Sequence, residues 1–296
     1  MKNRVLLVSD MHYTTDLSEA ELKMTHPEAR ASAASGPAFG RSQREKIDLI
    51  TRAVREENDA SPLDAVLILG DLSIDDYDFR RLPENYCEKF RDECMAVLPC
   101  PAYVIPGNHD SYPDGEWRRM FGTGRQYSLV IGGCLFLMTD TFADCPAHSA
   151  SGSHYTPADT AFLRAELDAH PGLPAFLCAH HISGRAADDE LRAFVAGEPR
   201  IQALFRGHTH LNLLWEFGGR PLADIGGYAY NGREVNGKWI FDVFDPAWAW
   251  GYEILEWDEC GFSMRHRKPP LHYEGSNGSF DVPETISGEY SATFRR

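Results

Sequence analysis

The chain has 296 residues, 43% of them hydrophobic, with a formal net charge of −15 and a pI near 5.2. This apolar content is enough for one large core or two small ones. The acidity disfavours a nucleic-acid polymer as partner, because phosphate contacts draw on Lys and Arg. No apolar run reaches the roughly 18–20 residues of a membrane span. The seven cysteines are odd in number and form no Cys-x-x-Cys pair. Neither a disulfide framework nor a zinc ribbon is therefore expected, and a reducing cytoplasm is the expected compartment.

The opening ten residues are too short and too soon charged for a signal peptide and read as a first strand. Residues 5–9, 65–69, 102–105, 134–139 and 175–179 are short apolar runs without alternation, which predicts strands covered on both faces. Residues 14–41 lack a core pattern and are long for a loop, which predicts either an inserted segment covering a functional cleft or a disordered surface loop. Ser42-Gln43-Arg44-Glu45 reads as a capping box, with Ile47, Ile50 and Val54 following at helical spacing. Residues 84–98 predict a helix with Tyr86, Phe90 and Val97 on one side. Thr156-Pro157 predicts the start of another, with Phe162, Leu163 and Leu167 facing inward.

After Leu211 the pattern changes to alternation and hairpin turns. Gly218-Gly219 separates strands at 213–217 and 221–225, and Asn236-Gly237 is a hairpin signal. Further strands are expected at 238–244, 252–257 and 262–267. An α/β first part followed by antiparallel strands predicts two packed sheets with helices outside, in one domain over 1–268. The polar, Gly/Ser-rich residues 269–296 are expected as a surface tail.

Five clusters of metal-type ligands punctuate this layout. They are Asp10-Met11-His12, Gly70-Asp71, Gly107-Asn108-His109-Asp110, His180-His181 and Gly207-His208-Thr209-His210. Four directly follow a predicted strand and the fifth follows a weaker one. Open α/β sheets bind ligands at the carboxyl ends of their strands. Asp10 and His12 are two apart, so in an extended backbone both point to one side and reach one ion; His208 and His210 repeat that spacing. Asp71 has two carboxylate oxygens with which to bridge two cations, Asn108 offers an amide oxygen and His180 an imidazole. Mixed N and O ligands favour Mn, Fe, Zn or Co over Ca. Two such ions ~4 Å apart generate a hydroxide and stabilise entering and leaving oxygens at phosphorus. Singly, each cluster is ordinary: a Gly-Asp after a strand is usually a turn. Together, at strand ends, they are hard to reach by chance.

The series resembles the calcineurin-like metallophosphoesterase superfamily over residues 4–210. The resemblance implies an α/β fold, a four-layer α/β/β/α sandwich of two mixed sheets with helices outside, holding a dinuclear metal centre. By that resemblance Asp10, His12, Asp71 and His210 hold one ion, and Asp71, Asn108, His180 and His208 the other. The family ligand is the first residue after the strand, hence His180, leaving His181 to line the pocket or buttress a ligand. The usual Pro after this pair is replaced by Ile182-Ser183. His109 is the expected proton donor or transition-state stabiliser. In phosphoprotein phosphatases a carboxylate three residues after the bridging Asp orients this His; here that position is Ile74, and Asp75 is the shifted candidate. Asp110 is expected to cap the following turn.

The segment Gly70-Asp71-Leu72-Ser73-Ile74-Asp75-Asp76 lacks the phosphoprotein phosphatase signature Gly-Asp-x-x-Asp-Arg-Gly. It is similar, with Tyr103-Val104-Ile105-Pro106-Gly107-Asn108-His109-Asp110, to bacterial class III cyclic-nucleotide phosphodiesterases. The resemblance implies a small-molecule phosphodiester substrate hydrolysed by a metal-bridging hydroxide, with a phosphomonoester as the alternative. A non-catalytic interaction scaffold of the same fold is the rival from another class; such relatives typically lose ligands, which this chain keeps. Arg206 is expected to pair with a surface acid, His26, His148 and His154 to be solvated, and Trp248 and Trp250 to pack.

Overall fold

The computed structural model describes residues 2–13, 43–73, 85–110, 112–143, 155–227, 231–235, 238–242, 251–275, 278–282 and 284–295. The expected lid at 14–41, Ser42 of the capping box, Ile74, Asp75 and Asp76, the Asn236-Gly237 turn, and His26, Cys145, His148, His154, Trp248 and Trp250 lie outside the described residues.

The elements run β1 (Asn3–Val8), α1 (Gln43–Ala60), β2 (Ala65–Leu69), α2 (Tyr86–Glu93), β3 (Ala102–Ile105), α3 (Asp114–Phe121), β4 (Tyr127–Ile131), β5 (Cys134–Thr139), α4 (Thr160–Ala169), β6 (Ala175–Ala179), α5 (Asp189–Gly197), β7 (Ile201–Arg206), β8 (Leu213–Phe217) and β9 (Arg220–Asp224). Then follow β10 (Asn231–Val235), β11 (Lys238–Asp242), β12 (Tyr252–Trp257), β13 (Gly261–Lys268), β14 (Leu271–Gly275), β15 (Gly278–Val282) and β16 (Thr285–Thr293). One six-stranded sheet has the order β16-β13-β12-β1-β2-β3 and the other β4-β5-β6-β7-β9-β8. Both are mixed: β1, β2 and β3 run parallel, as do β5, β6, β7 and β9, while the remaining pairs are antiparallel. Among the described residues no helix is long and apolar enough to cross a membrane.

The unbroken apolar strands follow from layering. Successive side chains on a strand point to opposite faces, and here each face meets a different core. Val5 and Leu7 of β1, Phe136 and Met138 of β5, and Phe176 and Cys178 of β6 fill the layer between the sheets. Their neighbours Leu6 and Val8 pack instead with Ile50 of α1, Phe90 of α2 and Trp117 of α3. Leu135, Leu137 and Leu177 pack with Leu163 and Leu167 of α4 and with Leu191 and Val195 of α5. The result is a four-layer α/β/β/α sandwich, in which polar alternation has no solvent-facing side to mark on the central strands.

Three expectations differ from the structure. The helix expected over 84–98 is α2 followed by a short 3-10 turn, Met95–Val97. Val97, expected to face inward, is 43% exposed, because the tighter turn rotates it off the apolar face. The helix expected to start at Thr156-Pro157 is capped by Asp159, whose carboxylate accepts from Ala161 N and Phe162 N. The polar segment after 268 ends in β16, which pairs antiparallel with β13 and forms an edge of the first sheet. Edge strands tolerate polar side chains, so composition alone gave no strand signal there.

The cap correction is testable by urea unfolding at constant m-value. Asp159→Ala is expected to cost about 1 kcal/mol, whereas Thr156→Ala stays within about 0.5 kcal/mol.

Candidate metal centre

The ends of parallel strands β1, β2 and β3 in one sheet and of β6 and β7 in the other meet at one end of the sandwich. Backbone pairing continues past the strands there: Asp10 N donates to Gly70 O, His12 N to Asp71 O, and Gly207 N to His180 O. These bonds tie the Asp10-His12 loop to the Asp71 loop and the His208-His210 loop to that of His180.

Asp10, His12 and His210 form one group, with ligand atoms within 4.8 Å of one another, and Asp71, His180 and His208 another. In the first, His210 Nε2 lies 3.2 Å from Asp10 Oδ1 and 3.1 Å from His12 Nε2. In the second, His180 Nε2 lies 3.2 Å from Asp71 Oδ2. Asn108 Oδ1 adds an oxygen 3.1 Å from His180 Nε2 and 2.9 Å from His208 Nδ1. Asp71 Oδ2 is also 3.5 Å from His12 Nε2, so this carboxylate stands between the two groups. Asp10, His12, Asp71, Asn108, His180 and His210 are buried and His208 is partly so. A buried set of imidazole, carboxylate and amide donors of this size fits two transition ions. Residues around it orient the donors: His180 Nδ1–H donates to Leu69 O, which turns Nε2 inward, and His208 N donates to both oxygens of Asp10.

The extended backbone expected for Asp10-x-His12 and His208-x-His210 is not what the structure contains. Asp10, His12, Asp71, His208 and His210 all have positive φ, between 42° and 67°, and they are the non-glycine residues with this conformation among those described. Each costs about 1–3 kcal/mol and persists only where surrounding contacts over-determine it. Left-handed residues pull the chain back on itself, so both members of each pair stay at the centre; Asp10 and His12 still share one group, as expected, whereas the side chains of His208 and His210 diverge. His210 joins Asp10 and His12, whereas His208 joins Asp71 and His180. Close packing sets the glycines: a Cβ on Gly107 would overlap Asp71 Oδ1, and one on Gly207 would overlap Ser9 Oγ.

The electrostatics favour charged carboxylates at Asp10 and Asp71 and neutral imidazoles at His12 and His208. Burial alone would raise Asp10 and Asp71, but His210 and His12 hold Asp10 well below the usual carboxylate range, and His180 and His109 do the same for Asp71. Burial pushes His12 down to about 4, and burial with His181 and His180 lowers His208. Burial also opposes charge on His180, yet the Asp71 carboxylate overcomes it and raises His180 to about 9.

His109, 5% exposed, also has a ligand atom within 4.8 Å of those of His12 and Asp71. Its N–H donates to Asp71 Oδ1, and its Nε2 is 4.0 Å from Asp71 Oδ2, farther than the imidazoles of His180 and His12. His181 donates its backbone N–H to Thr141 Oγ1, and its ring lies 4.1 Å from that of His208 and 4.8 Å from that of Tyr155. Ile182, in place of the usual Pro, is a fully buried member of the core beneath α4 and α5. Asp110 does not cap the following turn. Its carboxylate accepts from Leu72 N, Ser73 N and Gly107 N, tying the loop of Asp71 to the loop of Asn108. Three donors from preceding and neighbouring segments outcompete the local turn. Burial and the Asp71 charge raise Asp110 to about 6. Arg206 pairs with an acid as expected, but that acid, Asp224, is fully buried.

Sequence reading missed Phe142, whose ring lies 5.7 Å from that of His180, and the pair Arg125–Asp140 behind it. Asp140 immediately follows β5, so the strand-end rule that picked out the ligands applied to it as well. A cavity of about 1030 Å³ lies elsewhere, around Lys2, Gly132, Trp257 and Arg295, and contains none of the ligand candidates.

The sequence pattern of the calcineurin-like phosphoesterase family matches residues 3–212. No curated protein sequence matches the chain. In fold it is similar to a dimetal phosphatase from Danio rerio, with 13% identity and a TM-score of 0.58 over 96% of this chain and 98% of that one. It is similar as well to GAP50, the anchor in the inner membrane complex of Plasmodium, with 10% identity and a TM-score of 0.50 over 99% of this chain and 89% of that one. The family pattern spans all five ligand clusters, three strands of the first sheet and four of the second, and on that ground the chain belongs to the calcineurin-like phosphoesterase family.

Proposed function

We propose that the chain is a two-metal hydrolase of a small phosphoester, most readily a phosphodiester. The observation that carries this reading is the Asp71 carboxylate standing between two buried donor groups. Asp10, His12, Asp71 and His210 would hold one ion and Asp71, Asn108, His180 and His208 the other, with Mn, Fe and Zn the candidate metals. Such a pair of ions, when bound, supplies a hydroxide at neutral pH and neutralises charge on the phosphoryl oxygens. The protein's part is to hold the donors apart, exclude water and move a proton. His109 would protonate the leaving oxygen or stabilise its charge, a role supported by its backbone bond to Asp71 Oδ1.

Preference for a diester has support on charge. Among the described residues, Arg125 and Arg206 are each engaged by a carboxylate, Asp140 and Asp224. A singly charged diester needs less cationic help than a monoester dianion. The alternative readings are a phosphomonoesterase on the same centre and an interaction scaffold. The fold is shared with a protein described as an anchor, so the fold does not choose between enzyme and scaffold; the complete donor set favours the enzyme. Free thiols at Cys87, Cys94, Cys100, Cys134, Cys178 and Cys260 support a reducing compartment, for which we propose the cytoplasm.

The reading is tested by hydrolysis of a chromogenic diester against a chromogenic monoester, with Mn, Fe, Zn or Co added to metal-free protein. Fewer than two ions per chain and no hydrolysis of either ester would favour the scaffold. Asp71→Ala and Asn108→Ala are expected to abolish turnover and weaken metal retention, read by elemental analysis after gel filtration; wild-type-like activity in either would sink the assignment. His109→Gln should retain metal but lose about 100-fold or more in kcat on a diester with an alkyl leaving group. The loss should shrink markedly for nitrophenol, which leaves without a proton; equal losses on both would exclude His109 as the acid.

A further inference from the structure

Arg125 precedes β4 and is 8% exposed. A guanidinium presents five N–H donors in a planar fork, and Arg125 has a partner for every one. Nε donates to Asp140 Oδ2 at 2.7 Å, and Nη2 to Asp140 Oδ1 and Phe142 O, each at 3.3 Å. Nη1 donates to Tyr112 O at 2.6 Å and Asp110 O at 3.2 Å. Asp140 Oδ1 also accepts from Phe142 N, and the Trp117 ring lies 6.0 Å from the guanidinium carbon.

These acceptors belong to two loops that end at the candidate centre from opposite sheets. Asp110 and Tyr112 follow Asn108-His109, after β3 of the first sheet. The Asp110 carboxylate then fastens that loop to Leu72 and Ser73, beside Asp71. Asp140 and Phe142 follow β5 of the second sheet, and the Phe142 ring rests 5.7 Å from His180 and 6.1 Å from His208. A buried ion pair is a poor device for stability alone, because desolvating both partners is costly. Its planar, multidentate geometry suits fixing several main-chain atoms at once.

We propose that Arg125, held by Asp140, is a positioning residue for hydrolysis: it clasps the two sheets at the site end and fixes the Asn108-His109 loop against the His180–His208 pair. The proposal rests on the phosphoesterase reading above. Arg125 touches no candidate ligand and acts through Asp110, Tyr112 and Phe142. Displacing a reacting group by about 1 Å from a distant substitution costs on the order of 100-fold in rate, without changing which groups bind substrate.

The test uses the full chain with Arg125→Lys, which keeps the charge but loses the fork, and Asp140→Asn, a milder change that carries the same readouts where Arg125→Lys fails to fold. Circular dichroism confirms folding, and kcat and KM are measured on the better chromogenic ester. The visible spectrum of cobalt-loaded protein reports the two ion environments. Expected are a kcat lower by roughly 10- to 100-fold, a KM within about threefold, and an altered cobalt spectrum at two ions per chain. A folded variant with kcat within threefold of the parent overturns the proposal, as does a rate loss that follows only the loss of folded protein. If the parent binds two cobalt ions yet hydrolyses neither ester, the proposed function fails on its own. The clasp is then judged from the spectrum, and an unchanged spectrum in the folded variants overturns it.

Discussion

The Asp71 carboxylate is the contact on which the rest of the centre is arranged. Its Oδ1 accepts the His109 backbone N–H at 2.9 Å, and its Oδ2 faces His180 at 3.2 Å, His12 at 3.5 Å and His109 at 4.0 Å. An ionised carboxylate removed from water is destabilising by several kcal/mol unless partners compensate. Here the partners come from loops after β1, β3 and β6, so compensation requires both sheets to be in register at this end. The packing between the sheets and the chemistry at their edge are thereby one constraint. The glycine at 107 belongs to it, since the carboxylate occupies the space a side chain would need.

How much of this was legible in the sequence depends on the kind of signal. The central strands were, because apolar runs of strand length with no polar alternation have few other readings; residues 65–69, 102–105, 134–139 and 175–179 match β2, β3, β5 and β6 at both ends. The donor clusters were legible because Asp, Asn and His at strand ends stand out against an apolar background. The backbone at Asp10, His12, His208 and His210 was not, since residue type says little about φ when a non-glycine residue is forced left-handed by its neighbours. Asp110 was misread for a related reason: its donors Leu72 and Ser73 are distant in sequence, and only tertiary pairing supplies them. Arg125 carries no motif, Asp140 carries only its place directly after β5, and β16 is polar because it lies at an edge.

The fold itself leaves function open. Similar sandwiches serve as a dimetal phosphatase and as an anchor in a membrane complex, and the layers that make the sandwich, Leu and Val against Phe and Trp, contain nothing catalytic. Chemistry resides in a few loop residues that the layers hold rigid. That division explains why buried polar side chains are so informative in this chain. Many of them, Asp10, His12, Asp71, Asp110, Asp140 and His180 included, gather at the end of the sandwich where the parallel strands finish.

The left-handed backbone at Asp10, His12, Asp71, His208 and His210 has an evolutionary consequence. At each of these positions glycine would relieve main-chain tension, and asparagine would relieve part of it. Selection for thermal robustness and selection for turnover therefore pull in opposite directions at the same five codons. A lineage released from its enzymatic task would be expected to drift there first, becoming sturdier as it fell silent. In this chain all five positions are Asp or His, so the main-chain tension and the metal-type donors fall on the same residues.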